Sequence, residues 1–174
     1  QSFWSKDLIL NFLRNEFSSV YFKPRRSSKR SLELWSGSSK TLSQIRENNC
    51  QFLVDIDKGQ KTGFFLDQRN NRLFVSEIAR NQSVLNLFSY SGGFSVSAGR
   101  GGASRVTSVD IDKQAIALCE KNWSLNHLES NHHQGICQDV FEFLKNSKEK
   151  WDMVIVDPPS MTHSEDHKSV AIKK

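Results

Sequence analysis

At 174 residues the chain has the size of one domain, or of one domain with a small appendage, which excludes a multidomain machine. Hydrophobic residues at 37% and charged residues at 25%, with 3 Pro and 9 Gly, exclude a disordered tail, a collagen or a coiled coil and leave material for a packed core. The net charge of +5 is uneven: residues 1–80 hold 14 Lys+Arg against 8 Asp+Glu, residues 81–174 hold 10 against 11, so the front is expected to face a polyanion.

The chain opens on Gln1, which suggests a fragment or a processed piece. Lys6 and Asp7 interrupt any leader pattern, and no apolar run is long enough to span a bilayer, so a cytoplasmic protein without a membrane partner is expected. Cys50, Cys119 and Cys137 are odd in number and lack CxxC spacing, which predicts reduced, packed thiols rather than a disulfide framework or a zinc site.

Leu8, Ile9, Phe12, Leu13 and Phe17 recur at helical spacing, predicting an amphipathic helix over about 5–17 whose stripe packs as ordinary core. A short strand at Val20–Lys23 leads into Lys23, Arg25, Arg26, Lys29 and Arg30, flanked by Tyr21, Phe22 and Trp35. That mixture suits phosphate contact with base stacking, and a solvated basic loop is the alternative. The polar stretch 36–49 reads as connector. Segments 50–56 and 62–67, around a Gly-bearing turn at 57–60, read as a hairpin, and a helix is expected over 70–80.

From residue 83 short apolar runs alternate with helical patterns: strands near 84–88, 105–109, 135–138 and 151–156, helices from 93 to about 100, over 113–126 and over 140–146. This order predicts a parallel α/β sheet of the doubly wound, Rossmann-like class, with ligands at the carboxyl ends of the strands. The expected organisation is 1–49 as a basic α+β segment and candidate RNA-binding region, 50–82 as a hairpin and helix covering a site, and 83–174 as the Rossmann-like core.

Phe88-Ser-Tyr-Ser-Gly-Gly-Phe94 joins a strand to a helix, so its backbone N–H groups can receive the polar end of a cofactor. The dinucleotide pattern GxGxxG is absent, which argues against a dehydrogenase. Asp110 ends the second strand and could accept a ribose diol. Asp139 could accept an adenine amine, cap the helix from Val140, or do both. Val154-Ile-Val-Asp157-Pro158-Pro159 is an apolar strand ending in a carboxylate held by two prolines. His163 with His167, and His132 with His133, read as solvated rather than metal-ligating, and Trp123 and Phe143 as helix-to-sheet packing.

Gly59-Gln-Lys-Thr-Gly-Phe-Phe-Leu-Asp-Gln-Arg69, Leu85–Phe94, Val109-Asp-Ile-Asp112, Asn122-Trp-Ser-Leu-Asn126, Gln138-Asp139 and Val156-Asp-Pro-Pro159 together resemble the class I S-adenosylmethionine (SAM)-dependent ribosomal RNA methyltransferases, specifically the large-subunit cytosine-C5 group. The resemblance covers about residues 50–160. It implies SAM as cofactor, with Gln68 and Arg69 at its carboxylate, Phe88, Ser89, Tyr90 and Gly92 as its backbone loop, Asp110 and Ile111 at the ribose side, Asp139 and Val140 at the adenine, and Asp157 as catalytic residue at the methyl-transfer site. Asn86 stands where many such enzymes carry an acid. RNA, rRNA first, is the implied partner, and a homo-oligomer is left open.

In that family later strands and a nucleophilic cysteine follow the Asp-Pro-Pro turn, so the chain as given is expected to be C-terminally truncated and inactive alone, with none of its three cysteines the nucleophile. N-methylation of an rRNA base, such as guanine N7, and a non-catalytic RNA-binding fragment are the competing readings.

Overall fold

The computed structural model describes residues 5–24 and 32–159. The chain divides into two units, Gln1–Ser43 with Val54–Phe64, and Gln44–Leu53 with Phe65–Lys174. Among the described residues no helix is long and apolar enough to cross a membrane.

In the first unit, helix α1 (Lys6–Leu13) starts at Ser5, whose Oγ accepts from Leu8 N at 3.2 Å. Its apolar stripe does not pack as core: no residue of α1 is buried and Phe12 is 79% exposed. Strand β1 (Ser19–Phe22) pairs antiparallel with β2 (Glu33–Gly37), which the sequence reading missed. Phe22 and Trp35, expected to stack on bases, stack on each other at 4.9 Å, and the Lys6 ammonium lies 5.4 Å from the Trp35 ring.

The hairpin lies elsewhere than expected. Strand β4 (Cys50–Asp55) pairs with β3 (Leu42–Glu47), inside the presumed connector, and Asn48 and Asn49 supply the two positive φ values (48° and 62°) of the turn between them. Segment 62–67 is no strand. Asp55 Oδ1 accepts from Asp57 N and Lys58 N, and Gly63 turns the chain at φ +88°, where a Cβ would stand 2.3 Å from the Asp55 carbonyl oxygen. A single 3₁₀ turn at Leu66–Gln68 then opens helix α2 (Arg69–Ile78).

The rest follows the predicted order: β5 (Ser83–Leu87), α3 (Gly93–Arg100), β6 (Arg105–Asp110), α4 (Lys113–Leu125), β7 (His133–Cys137), α5 (Val140–Asn146) and β8 (Met153–Val156). The four strands form one parallel sheet in the order β7-β6-β5-β8, with Leu87 in register with Val109 on one side and Val156 on the other. The chain leaves β5 for β6 on one flank and later returns to the other flank as β8. The carboxyl end of β5 is therefore the switch point at which α/β sheets open a ligand crevice.

Alternation along the strands divides the core between two faces. Val84 and Val106 pack with Val75, Ala79, Ala98 and Trp123, whereas Leu85, Leu87 and Val109 pack with Val140 and Phe143. Trp123 and Phe143 are core residues, as the sequence suggested. Cys50 and Cys119 are buried, but Cys137 is exposed, its thiol directed to the Ile111 carbonyl at 3.5 Å.

Candidate functional site

Leaving β5, the chain takes three left-handed steps within five residues, at Phe88 (φ 56°), Tyr90 (φ 48°) and Gly92 (φ 79°). For the two non-glycine residues this conformation costs about 1–2 kcal/mol each, so the surroundings must hold it. They do so with backbone bonds: Ser89 N donates to Val109 O at 3.0 Å, Tyr90 N to Asp110 Oδ2 at 2.8 Å and Gly92 N to Ser89 O at 2.9 Å. Gly92 is then the N-cap of α3, whose first N–H groups lie at the open end of the loop.

Asp110 thus serves the fold as well as any ligand, since its Oδ1 also accepts from Asp112 N at 2.9 Å. Each carboxylate oxygen keeps a second lone pair for a further donor. Ile111 beside it is 70% exposed, an apolar side chain held in solvent at a strand end. Gln138 N donates to Asp110 O at 3.0 Å and so brings the β7–α5 junction alongside. There Asp139 caps α5, its Oδ1 accepting from Phe141 N at 2.9 Å and Glu142 N at 3.1 Å, which leaves Oδ2 for a ligand. The Val140 side chain is buried in the core, so its contribution can come only from its backbone N–H in the first turn of α5. Phe141, which the sequence reading did not single out, sets its ring edge-on to Phe88 at 6.2 Å and adds an aromatic surface beside the loop.

Asp157 follows β8 directly and is exposed; the Leu87–Val156 register puts it level with Phe88 at the same end of the sheet. Gln68 and Arg69 approach from the other side. The Phe65 ring meets Tyr90 edge-on at 5.6 Å, Gln68 N returns to Phe65 O at 3.1 Å, and Arg69 begins α2. Gln68 Oε1 accepts from Asn71 Nδ2 at 2.6 Å, and the Arg69 carbonyl from Asn48 Nδ2 at 3.0 Å. Behind them a buried ion pair that sequence reasoning missed fixes the segment: Arg72 Nε and Nη2 clamp Glu47 at 2.6 and 2.9 Å, and Nη2 also holds the Phe65 carbonyl at 2.9 Å.

Beneath the loop lies a chain of buried polar groups. Asn86 Nδ2 donates to Ser95 Oγ at 2.8 Å, Ser95 shares a 2.7 Å bond with Ser108, and Ser108 shares one of 2.8 Å with His133 Nε2. Asn86 is therefore buried within the fold and bonded inside it. His133 is not solvated as expected: it sits on β7 with its ring stacked on Trp123 at 4.6 Å, and burial lowers its pKa to about 4. Cys119 completes the cluster, and burial pushes its thiol up to about 12, the opposite of an activated nucleophile. Burial also raises Cys50.

Of the five cations of the basic loop, Lys23 falls within the described residues, and its ammonium donates to the carbonyls of Ile56 and Gly59, both at 2.6 Å. It thus clamps a loop within its own unit. Arg25, Arg26, Lys29 and Arg30 lie outside the described residues, as do His163 and His167.

The groups at this end of the sheet suit an adenosyl ligand. Asp110 presents a carboxylate of the kind that accepts a diol, a second carboxylate, Asp139, lies one strand over, and among the described residues the buried Ser89 hydroxyl has no hydrogen-bond partner. The family model for S-adenosylmethionine-dependent methyltransferases matches residues 17–169. The chain belongs to that family. It is 47% identical over 132 residues to a ribosomal RNA large subunit methyltransferase of Deinococcus radiodurans, covering 74% of this chain and 32% of that protein. It is 44% identical over 123 residues to ribosomal RNA large subunit methyltransferase I of Aeromonas salmonicida, covering 69% and 31%. The chain thus spans about a third of the length of these curated relatives. Among solved structures, SMU.776 complexed with SAH (S-adenosylhomocysteine) superposes with a TM-score of 0.80 at 35% identity, over 88% of this chain and 42% of that one. The Methanocaldococcus-type neighbour described as M. jannaschii tRNA m1G37 methyltransferase gives 0.71 at 26%, over 96% and 49%.

Proposed function

We propose that this chain supplies the SAM-binding part of a methyltransferase that modifies large-subunit ribosomal RNA, at C5 of a cytosine. The observation that carries the reading is the shared strand-end geometry of the Phe88–Gly92 loop, Asp110, Asp139 and Asp157, in a chain 47% identical to an rRNA large subunit methyltransferase. SAM would lie with its ribose on Asp110, its adenine between Ile111 and Phe141 with the amine on Asp139, and its amino-acid end at the loop and at Gln68 and Arg69. Bound there, it supplies an electrophilic methyl group. Asp157 would bond the edge of the target base. Arg25, Arg26, Lys29 and Arg30 would contact RNA phosphates.

Methylation at C5 needs a thiolate to add at C6 of the ring, because C5 is not nucleophilic by itself. Cys119, with its thiol held near pKa 12, and Cys50, raised by burial, are unsuited to this, and Cys137 sits beside the adenine end. A second reading, N-methylation of a guanine, draws support from the likeness to the tRNA m1G37 enzyme. An RNA bearing 5-fluorocytosine, incubated with SAM and the full-length protein, separates the two. A covalent adduct on a cysteine other than these three supports C5, while methylated guanine without an adduct supports the second reading.

A further inference from the structure

Helix α4 meets the candidate cofactor loop along one face. Cys119 lies against Gly92, where an added Cβ would stand 2.2 Å from its Sγ. Three residues on, the fully buried Asn122 donates from Nδ2 to the Ser91 carbonyl at 2.9 Å and accepts at Oδ1 from Leu53 N at 2.6 Å. Four residues further, Asn126 accepts from Gln51 N at 2.8 Å and donates to Gln51 O at 2.7 Å. Gln51 and Leu53 are alternate residues of β4, so the two amides satisfy one edge of that strand in place of a neighbouring strand. They differ in one respect. Asn122 joins the strand to the loop, whereas Asn126 joins it back to its own helix, Nδ2 donating also to the Asn122 carbonyl at 2.7 Å.

We propose that Asn122 is a positioning residue for the cofactor: its amide ties the Ser91 carbonyl to β4 and so holds the left-handed turn at Gly92 in its binding shape before SAM arrives. The proposal rests on the reading that the Phe88–Gly92 loop receives SAM. Ser91 is buried, so without the amide its carbonyl would have to leave the interior or stay there without that partner. Either choice loosens a segment that already contains three left-handed residues. A ligand that needs the loop in this one shape then binds only the fraction of molecules that still hold it.

Asn126 is the built-in control, because it makes bonds of the same kind to the same strand from the same helix. SAH is titrated calorimetrically into full-length wild type, Asn122→Ala, Asn122→Asp and Asn126→Ala, well below the lowest Tm of the set. Both alanine variants are expected to lower Tm, but only the Asn122 variants should weaken SAH binding, by about tenfold for the loss of one preorganising hydrogen bond. Asn122→Asp keeps the acceptor for Leu53 N and removes the donor to the Ser91 and Leu53 carbonyls (2.9 and 3.4 Å) while adding a buried carboxylate whose cost Tm reports, so it should weaken SAH even if Asn122→Ala fails to fold. Amide hydrogen exchange at Tyr90–Gly93 should quicken in the Asn122 variants and not in Asn126→Ala. Equal losses of affinity at Asn122 and Asn126, or no loss at Asn122 while wild type binds SAH, would overturn the proposal alone. Failure of wild type to bind SAH would overturn the loop assignment and the proposal with it.

Discussion

Gly92→Ala tests the most constrained contact in the candidate site. A methyl group at this position would stand 2.2 Å from Cys119 Sγ, 3.0 Å from its Cβ and 3.2 Å from its Cα, on a backbone with φ +79°. The left-handed conformation costs an alanine about 1–2 kcal/mol. Forcing a methyl into packed space adds about 1–3 kcal/mol. A total loss of about 2–5 kcal/mol is therefore expected from urea denaturation, with loss of SAH binding because the loop itself must shift. Cys119→Ala removes the sulfur that the methyl strikes first, at its own cost of about 1 kcal/mol for the small cavity left behind. Contacts with the remaining Cβ and Cα persist, and so does the backbone strain. The double variant should thus be more stable than the sum of the single losses predicts, by about 1–2 kcal/mol. Additivity of the two losses within about 0.5 kcal/mol would refute the packing argument, because the two atoms could not then be in conflict.

Asp110→Ala removes a charged acceptor and its bond from Tyr90 N, so SAH affinity should fall by about 2–3 kcal/mol in calorimetry; an unchanged Kd would remove Asp110 from the site. Arg72→Ala strands the Glu47 carboxylate in the interior and should cost about 3–5 kcal/mol in denaturant, with Glu47→Gln as the milder counterpart. His133 has its pKa lowered by burial from 6.5 to about 4, so the unfolded chain takes up the proton first as pH falls. Its contribution is complete above about pH 6.5 and is lost on acidification towards pH 4, a fall of roughly 3 kcal/mol at most, and His133→Asn should flatten that part of the stability–pH curve. Neutralising Arg25, Arg26, Lys29 and Arg30 should lower the log–log salt slope of RNA binding by up to about 3, at roughly 0.7 per phosphate contact on a single strand, without altering SAH affinity.

The Rossmann-like part was legible because its strands are short runs rich in Val and Leu and buried on both faces, such as Val84–Leu87 and Val106–Val109, and two of its helices carry local start signals, Asp112 and Asp139. The shared position of the candidate residues at the strand ends could be read for the same reason, since topology alone brings the ends of β5, β6, β7 and β8 together. The β3–β4 hairpin was misplaced because Leu42–Glu47 alternates polar residues with only Glu47 buried, while its true signal, Asn48-Asn49, is weaker than a turn containing glycine. Long-range pairs had no local signature. Asn126 finds Gln51 75 positions away, and His133 changes character only because Trp123 and Ser108 close over it. The outward apolar stripe of α1 shows the converse limit, since periodicity marks an apolar face without saying what it meets.

The central claim is that this chain forms the SAM site of an enzyme that methylates large-subunit rRNA. The most direct measurement is transfer of tritium from methyl-labelled SAM to purified large-subunit ribosomal RNA by the full-length protein, read after nuclease digestion, with Asp157→Ala in parallel. Label is expected in a single methylated nucleoside with wild type and in none with the variant. Label appearing only in protein, or equally with both proteins, would contradict the account.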